Sequence, residues 1–129
     1  MTDKELYILA KKARDYSYSP YSGFKVGSAI ETDKGVYTGT NIENASYPVT
    51  VCAERVAIFN AVSKGDRNIV KIAVASSGDK LTPPCGMCLQ VISELAPKAK
   101  IILGQGEDDI KVYDIKDLLP MAFSLEDKK

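Results

Sequence analysis

Apolar positions recur along this chain with two different periods, and the switches between them mark out its elements. Near the start, Leu6, Leu9, Ala10 and Ala13 keep the three- and four-residue spacing of one helix face. Thr2 and Glu5 stand three residues apart ahead of that stripe, the pattern of a capping box. The spacing therefore predicts a helix that opens at Thr2 and fades near Tyr16, before Ser19-Pro20. The period then drops to two. Val26, Ser28 and Ile30 alternate with Lys25, Gly27 and Glu31, which predicts a strand built on small residues. Asp33-Lys34-Gly35 reads as a turn and Val36 to Thr40 as the return strand of a hairpin, with a loop over 42–50.

From Cys52 to about Lys64 the helical period returns. Val56, Ala57, Phe59 and Ala61 give this second helix a largely apolar surface, and Gly65-Asp66 ends it. Ile69 to Ala75 is a continuous apolar run, the mark of a strand buried on both faces. A loop over 77–84 leads to a third helix from Gly86 to about Ala96, stopped by Pro97. Ile101 to Leu103 and Ile110 to Tyr113 predict two short strands, and Asp114 to Leu119 a closing helical turn or two. Strands interleaved with helices predict a layered α/β domain, a mixed sheet covered by helices. No linker, repeat or low-complexity segment divides the chain, so residues 1–129 read as one domain.

Composition narrows the partners. Lys plus Arg equals Asp plus Glu at 17 each, which removes a net electrostatic drive toward nucleic acid or anionic lipid. The start, MTDKELY, is polar, and no apolar run approaches the roughly 18 to 20 residues that span a bilayer. The chain therefore reads as cytoplasmic, with no membrane and no nucleic-acid partner.

The three cysteines change the picture most. An odd number of thiols in a reducing compartment disfavours a disulfide framework and turns attention to metal or redox chemistry. Cys52 falls at the start of the second predicted helix, and Cys85 and Cys88, in PPCGMC, at the start of the third. Free N–H groups and the dipole at a helix start favour the thiolate, the form that binds metal. There is no histidine. Three sulfurs alone leave the fourth position of a zinc ion open to water, as in catalytic rather than structural sites. Glu54, two residues after Cys52, can then serve as a proton carrier without being a ligand, and Arg55 can offset the negative charge of three thiolates. The residues alone leave two other readings open, a redox dithiol at Cys85 and Cys88, and three inert buried cysteines.

The combination of VCAER at 51–55 with PCGMC at 84–88 resembles the zinc signature of the nucleoside cytidine deaminases. FKVGSA at 24–29, TNIENASY at 40–47 and LLPMAFS at 118–124 extend the resemblance over essentially the whole chain. The resemblance implies a three-layer α/β/α fold with a mixed five-stranded sheet. It also implies one zinc ion per subunit on Cys52, Cys85 and Cys88, with Arg55 as thiolate partner and Glu54 as catalytic proton carrier. Phe24 would stack on the pyrimidine, Asn41 and Glu43 would bind the ribose hydroxyls, and the Ala53 backbone would read the base edge with Glu54. The family is usually a homotetramer, in which Ala45, Tyr47 and Phe123 would complete a neighbour's pocket. The implied activity is zinc-dependent hydrolytic deamination of cytidine and deoxycytidine in pyrimidine salvage. Three positions depart from the pattern: Leu89 stands where Arg is common, which would leave charge compensation to Arg55 alone, Pro48 where Gly is common, and Met121 where a small residue or Tyr is frequent.

Overall fold

The computed structural model describes residues 1–125. Its elements are α1 (Asp3–Ala13), β1 (Val26–Thr32), β2 (Val36–Thr40), α2 (Ala53–Ser63), β3 (Ile69–Ser76), α3 (Gly86–Leu95), β4 (Lys100–Gly106), β5 (Asp109–Tyr113) and α4 (Ile115–Leu118), with short 3-10 turns at Arg14–Tyr16 and Tyr47–Val49. The five strands form one sheet in the order β2-β1-β3-β4-β5. Among neighbouring strands only β3 and β4 run parallel, with α3 as the crossover between them; the other neighbours are antiparallel.

The sheet divides its side chains between two helical layers, so the fold is the three-layer α/β/α arrangement with a mixed sheet. On one face, Leu6, Tyr7 and Ala10 of α1 pack on Ala29, Ala73, Ala75 and Ile102. Three alanines on neighbouring strands let this helix lie close. On the other face, Ala57, Ile58 and Ala61 of α2, Ile92 of α3 and Ile115 of α4 cover Ile30, Ile72, Val74, Ile101 and Leu103. The capping box at Thr2 and Glu5 is present, with both reciprocal hydrogen bonds.

Three expectations shift. The period-two pattern of β1 suggested faces of different character, yet residues 27–30 are all buried, because helices lie on both sides. Tyr7 joins the buried stripe of α1 and Leu9 only borders it, since Tyr7 sends its hydroxyl through the core to the Gly104 carbonyl at 3.2 Å. On α2 it is Ala57, Ile58 and Ala61 that face the sheet, while Phe59 is exposed.

Gly39 of β2 fixes the height of α2 over the sheet. A Cβ built there would stand 2.4 Å from the Ala57 nitrogen and 2.6 Å from the Ala53 oxygen. Both are backbone atoms, so the first turns of α2 would have to lift away. Gly39→Ala should therefore cost about 1 to 3 kcal/mol of stability, the usual range for overpacking. A thermal melt reads the effect, and an unchanged midpoint would show that the helix yields freely.

Candidate active site

Two loops leave the sheet at the same end, one after β2 and one after β3, and each opens a helix on a cysteine. Cys52 is the N-cap of α2, with φ −78° and ψ 155°. Cys85 is the N-cap of α3, with φ −70° and ψ 170°, delivered in extended backbone behind Pro83 and Pro84. Neither thiol caps its own helix, so both sulfurs are left to face each other. Cys88 lies one turn into α3 and is fully buried. The Sγ atoms of Cys52 and Cys85 are 3.6 Å apart, as are those of Cys85 and Cys88, and all three lie within 4.8 Å. A tetrahedral centre with metal–sulfur bonds of about 2.3 Å sets its sulfurs about 3.8 Å apart. The two separations of 3.6 Å therefore match the donor spacing around a thiophilic ion such as zinc.

Charge around the sulfurs is unequal. Hydrogen bonding from Cys88 pulls the Cys52 thiol down to about 5 against the opposing effect of burial, and Arg55 adds to the pull. Cys88, the donor in that pair, is pushed up by the same contact and by its burial. The Arg55 Nη2 lies 3.5 Å from the Cys52 sulfur. Burial works against the Arg55 charge, but its contacts with the sulfurs of Cys52 and Cys88 more than restore it. Leu89, beside Cys88, packs against the apolar core.

Glu54 occupies the first turn of α2 and is only 4% exposed. Burial pushes its carboxyl up to about 7, with the Cys52 thiolate adding to the rise. A carboxyl raised from 4.5 to about 7 has a testable sign. Its contribution to stability is whole below pH 4.5 and is lost as pH climbs toward 7, where burying the charge becomes the cost. Gln does not titrate. The metal-free Glu54→Gln protein should match metal-free wild type below pH 4.5 and exceed it by of order 3 kcal/mol above pH 7. Denaturant midpoints at the two pH values decide it, and a gap that stays constant between them would refute the burial account.

Two of the thiols, Cys52 and Cys85, line a cleft of about 280 Å³ together with Glu54, while Cys88 is buried behind them. Phe24, Asn41, Glu43 and Ala53 line it too, so the structure brings these predicted residues together in one chain. Ala53 opens α2, where the N–H groups of the first turn have no helical acceptor. Asn41 is already occupied: its Oδ1 accepts from the Val26 N–H at 2.9 Å and the Ser17 hydroxyl at 2.5 Å, and its Nδ2 donates to the Phe24 carbonyl at 2.8 Å. Glu43 Oε1 accepts the N–H groups of Tyr21 and Ser22 at 2.9 and 3.1 Å, and Oε2 accepts the Ser22 hydroxyl. The Ser22 hydroxyl, ahead of the two N–H groups, holds the Glu43 carboxyl below its ordinary range.

Ala45, Tyr47 and Phe123 do not line this cleft. Tyr47 opens the 3-10 turn in which Pro48 finds a first-turn position that suits its φ, and it borders an adjoining groove with Tyr21 and Glu43. Phe123 is exposed, and its carbonyl accepts from Gln90 Nε2 at 3.1 Å. Met121 is fully exposed with φ 55°. The cleft also holds residues that sequence reasoning passed over, notably Ser22, Thr50 and Thr82. Small hydroxyl residues in loops carry no periodic signal.

A family model described as the cytidine and deoxycytidylate deaminase zinc-binding region matches residues 1–104. The chain is 47% identical over 128 residues to a cytidine deaminase of Halalkalibacterium halodurans, covering 97% of both chains. It is 43% identical to one of Sporosarcina psychrophila, over 98% of this chain and 95% of that one. Its structure resembles the crystal structure of cytidine deaminase from Burkholderia pseudomallei, with a TM-score of 0.90 and 44% identity over 95% of this chain and 100% of that one. The Mycobacterium tuberculosis cytidine deaminase follows with a TM-score of 0.83 and 34% identity, over 97% of this chain and 99% of that one. With a likeness that runs the length of the chain and a thiol cluster where the zinc-binding region matches, this chain belongs to the cytidine deaminase family of hydrolytic deaminases.

Proposed function

We propose that the protein deaminates cytidine and deoxycytidine to uridine and deoxyuridine, consuming water and releasing ammonia, with zinc on Cys52, Cys85 and Cys88. The observation that carries this reading is a cluster of three sulfurs, two of which line a single cleft beside one buried carboxyl. Zinc bound there would act as a Lewis acid and ease the loss of a proton from water.

The residues of the chain supply the rest. Phe24 offers a flat apolar wall to the pyrimidine, and the first-turn N–H groups of α2 are donors for its carbonyl edge. Glu54, in the lining of the cleft, takes a proton from the attacking water and gives it to N3 of the ring, then takes the second proton from the hydroxyl now on C4 and passes it to the departing amine as the C–N bond breaks. Its raised carboxyl suits both directions of transfer near neutrality. Arg55 holds its charge against the Cys52 sulfur and steadies the thiolates. Asn41 and Glu43, at the other end, are the groups for the sugar hydroxyls. Among the described residues no Lys or Arg lines the cleft, and Glu43 would repel a phosphate, so the neutral nucleoside is favoured over its nucleotide.

Tyr47, Met121 and Phe123 are large apolar side chains left in solvent, which supports a homotetramer in which Ala45, Tyr47 and Phe123 meet a neighbour's cleft. No helix among the described residues is long and apolar enough to cross a membrane. A role in cytoplasmic pyrimidine salvage, as a single domain, is the setting we assign. The decisive assay follows the absorbance of cytidine with the purified, zinc-loaded protein. Conversion with stoichiometric ammonia supports the reading, and metal-bound protein that leaves cytidine untouched would end it.

A further inference from the structure

Phe24 walls the cleft, yet little side-chain packing holds it there. It is 39% exposed, and its ring rests on Gly78, where an added Cβ would come within 3.1 Å of it. Its backbone is what is fixed. The Phe24 N–H donates to the Ser22 hydroxyl oxygen at 3.0 Å, and the Phe24 carbonyl accepts from Asn41 Nδ2 at 2.8 Å. Both anchors lead to the residues assigned to the sugar. Asn41 is one directly. The other runs through Ser22, whose single hydroxyl proton goes to Glu43 while its oxygen receives the Phe24 amide. Glu43 grips the same turn again through the Tyr21 and Ser22 N–H groups.

We propose that Ser22 is a positioning residue that ties the carboxylate of Glu43 to the backbone of Phe24, so that a sugar hydroxyl bound at Glu43 sets where the base lies. This rests on the assignment of Glu43 to the sugar. The physical reason is competition. Glu43 already accepts three hydrogen bonds, all from Tyr21 and Ser22, so a substrate hydroxyl must share its oxygens with the hydroxyl of Ser22. Any adjustment of the carboxylate moves the Ser22 oxygen and, with it, the amide of Phe24. Sugar contacts then reach the chemical step as alignment of C4 with Glu54, and they register in kcat rather than in KM alone.

The test compares wild type, Ser22→Ala and Ser22→Thr, each with and without Phe24→Ala, on cytidine, with zinc content and melting temperature measured for every protein. Ser22→Ala should lower kcat about tenfold, the worth of one lost hydrogen bond, and Ser22→Thr should recover most of it. In the Phe24→Ala background the same Ser22 change should have little further effect, because the two residues act as one unit. On wild type alone, 3′-deoxycytidine should show a kcat about tenfold below that of cytidine, beyond any rise in KM. Losses that add in full across the two backgrounds, or effects of the sugar hydroxyl confined to KM, would overturn the link. A wild-type enzyme that releases no ammonia from cytidine at all would instead refute the assigned activity, so the two failures are distinct.

Discussion

Glu54→Gln should yield a folded, metal-loaded protein whose turnover of cytidine is lower by about 10²- to 10⁴-fold, the range that a positioned general acid–base group contributes. The amide keeps the size of the carboxyl, which matters at 4% exposure, where a change of volume would leave a void or overpack the site. It also keeps all three sulfur donors, since Glu54 is not among the three side chains that meet. What the amide cannot do is accept a proton from water and return it to the ring. Steady-state rates on cytidine, beside elemental analysis for zinc, separate these roles. A variant with near wild-type rate would remove Glu54 from the chemistry, and one that loses zinc would make it a ligand.

Cys88→Ser should strip the metal and, with it, the activity. Cys88 is the fully buried member of the cluster, so bulk solvent cannot step in for its sulfur. A serine hydroxyl stays protonated at neutral pH and is a poor ligand for a thiophilic ion. Two thiolates remain, one of them, Cys85, exposed. Affinity for zinc should fall by more than the roughly 10- to 100-fold that loss of a ligand's outer partner costs. Competition with a chelator measures this, together with turnover after zinc is added back. Full zinc content in the variant would exclude Cys88 from the site.

Local chemistry carried much of this architecture in the sequence. The capping box at Thr2 and Glu5 needs only four residues to declare itself, and it forms as read. The cysteines were legible as two helix starts, because Gly86 after Cys85 and the apolar spacing after Cys52 both mark an onset. Their mutual distance was not, since it depends on α2 and α3 lying side by side over one sheet face. Burial on both faces of β1 was hidden for a similar reason: glycine, serine and alanine are buried there by helices far away in sequence, and such small residues show no hydrophobic period. Phe59 misled in the opposite sense, because a large apolar side chain in a helical repeat looks like core even where the helix turns it to solvent. The hydrogen-bond web of Ser17, Ser22, Asn41 and Glu43 joins loops and a strand end, and no repeat or propensity encodes it.

The two helices that begin on cysteine bear on any attempt to toughen this protein. Ser, Asp or Asn at those positions would satisfy first-turn donors that sulfur ignores and would add about 1 kcal/mol each to the resistance of the fold. Both substitutions delete a sulfur from the cluster. Engineers who rank changes by capping quality alone would therefore select first two replacements that should silence the enzyme on the proposed role of the cluster, a local case of robustness and activity pulling the same residue in opposite directions.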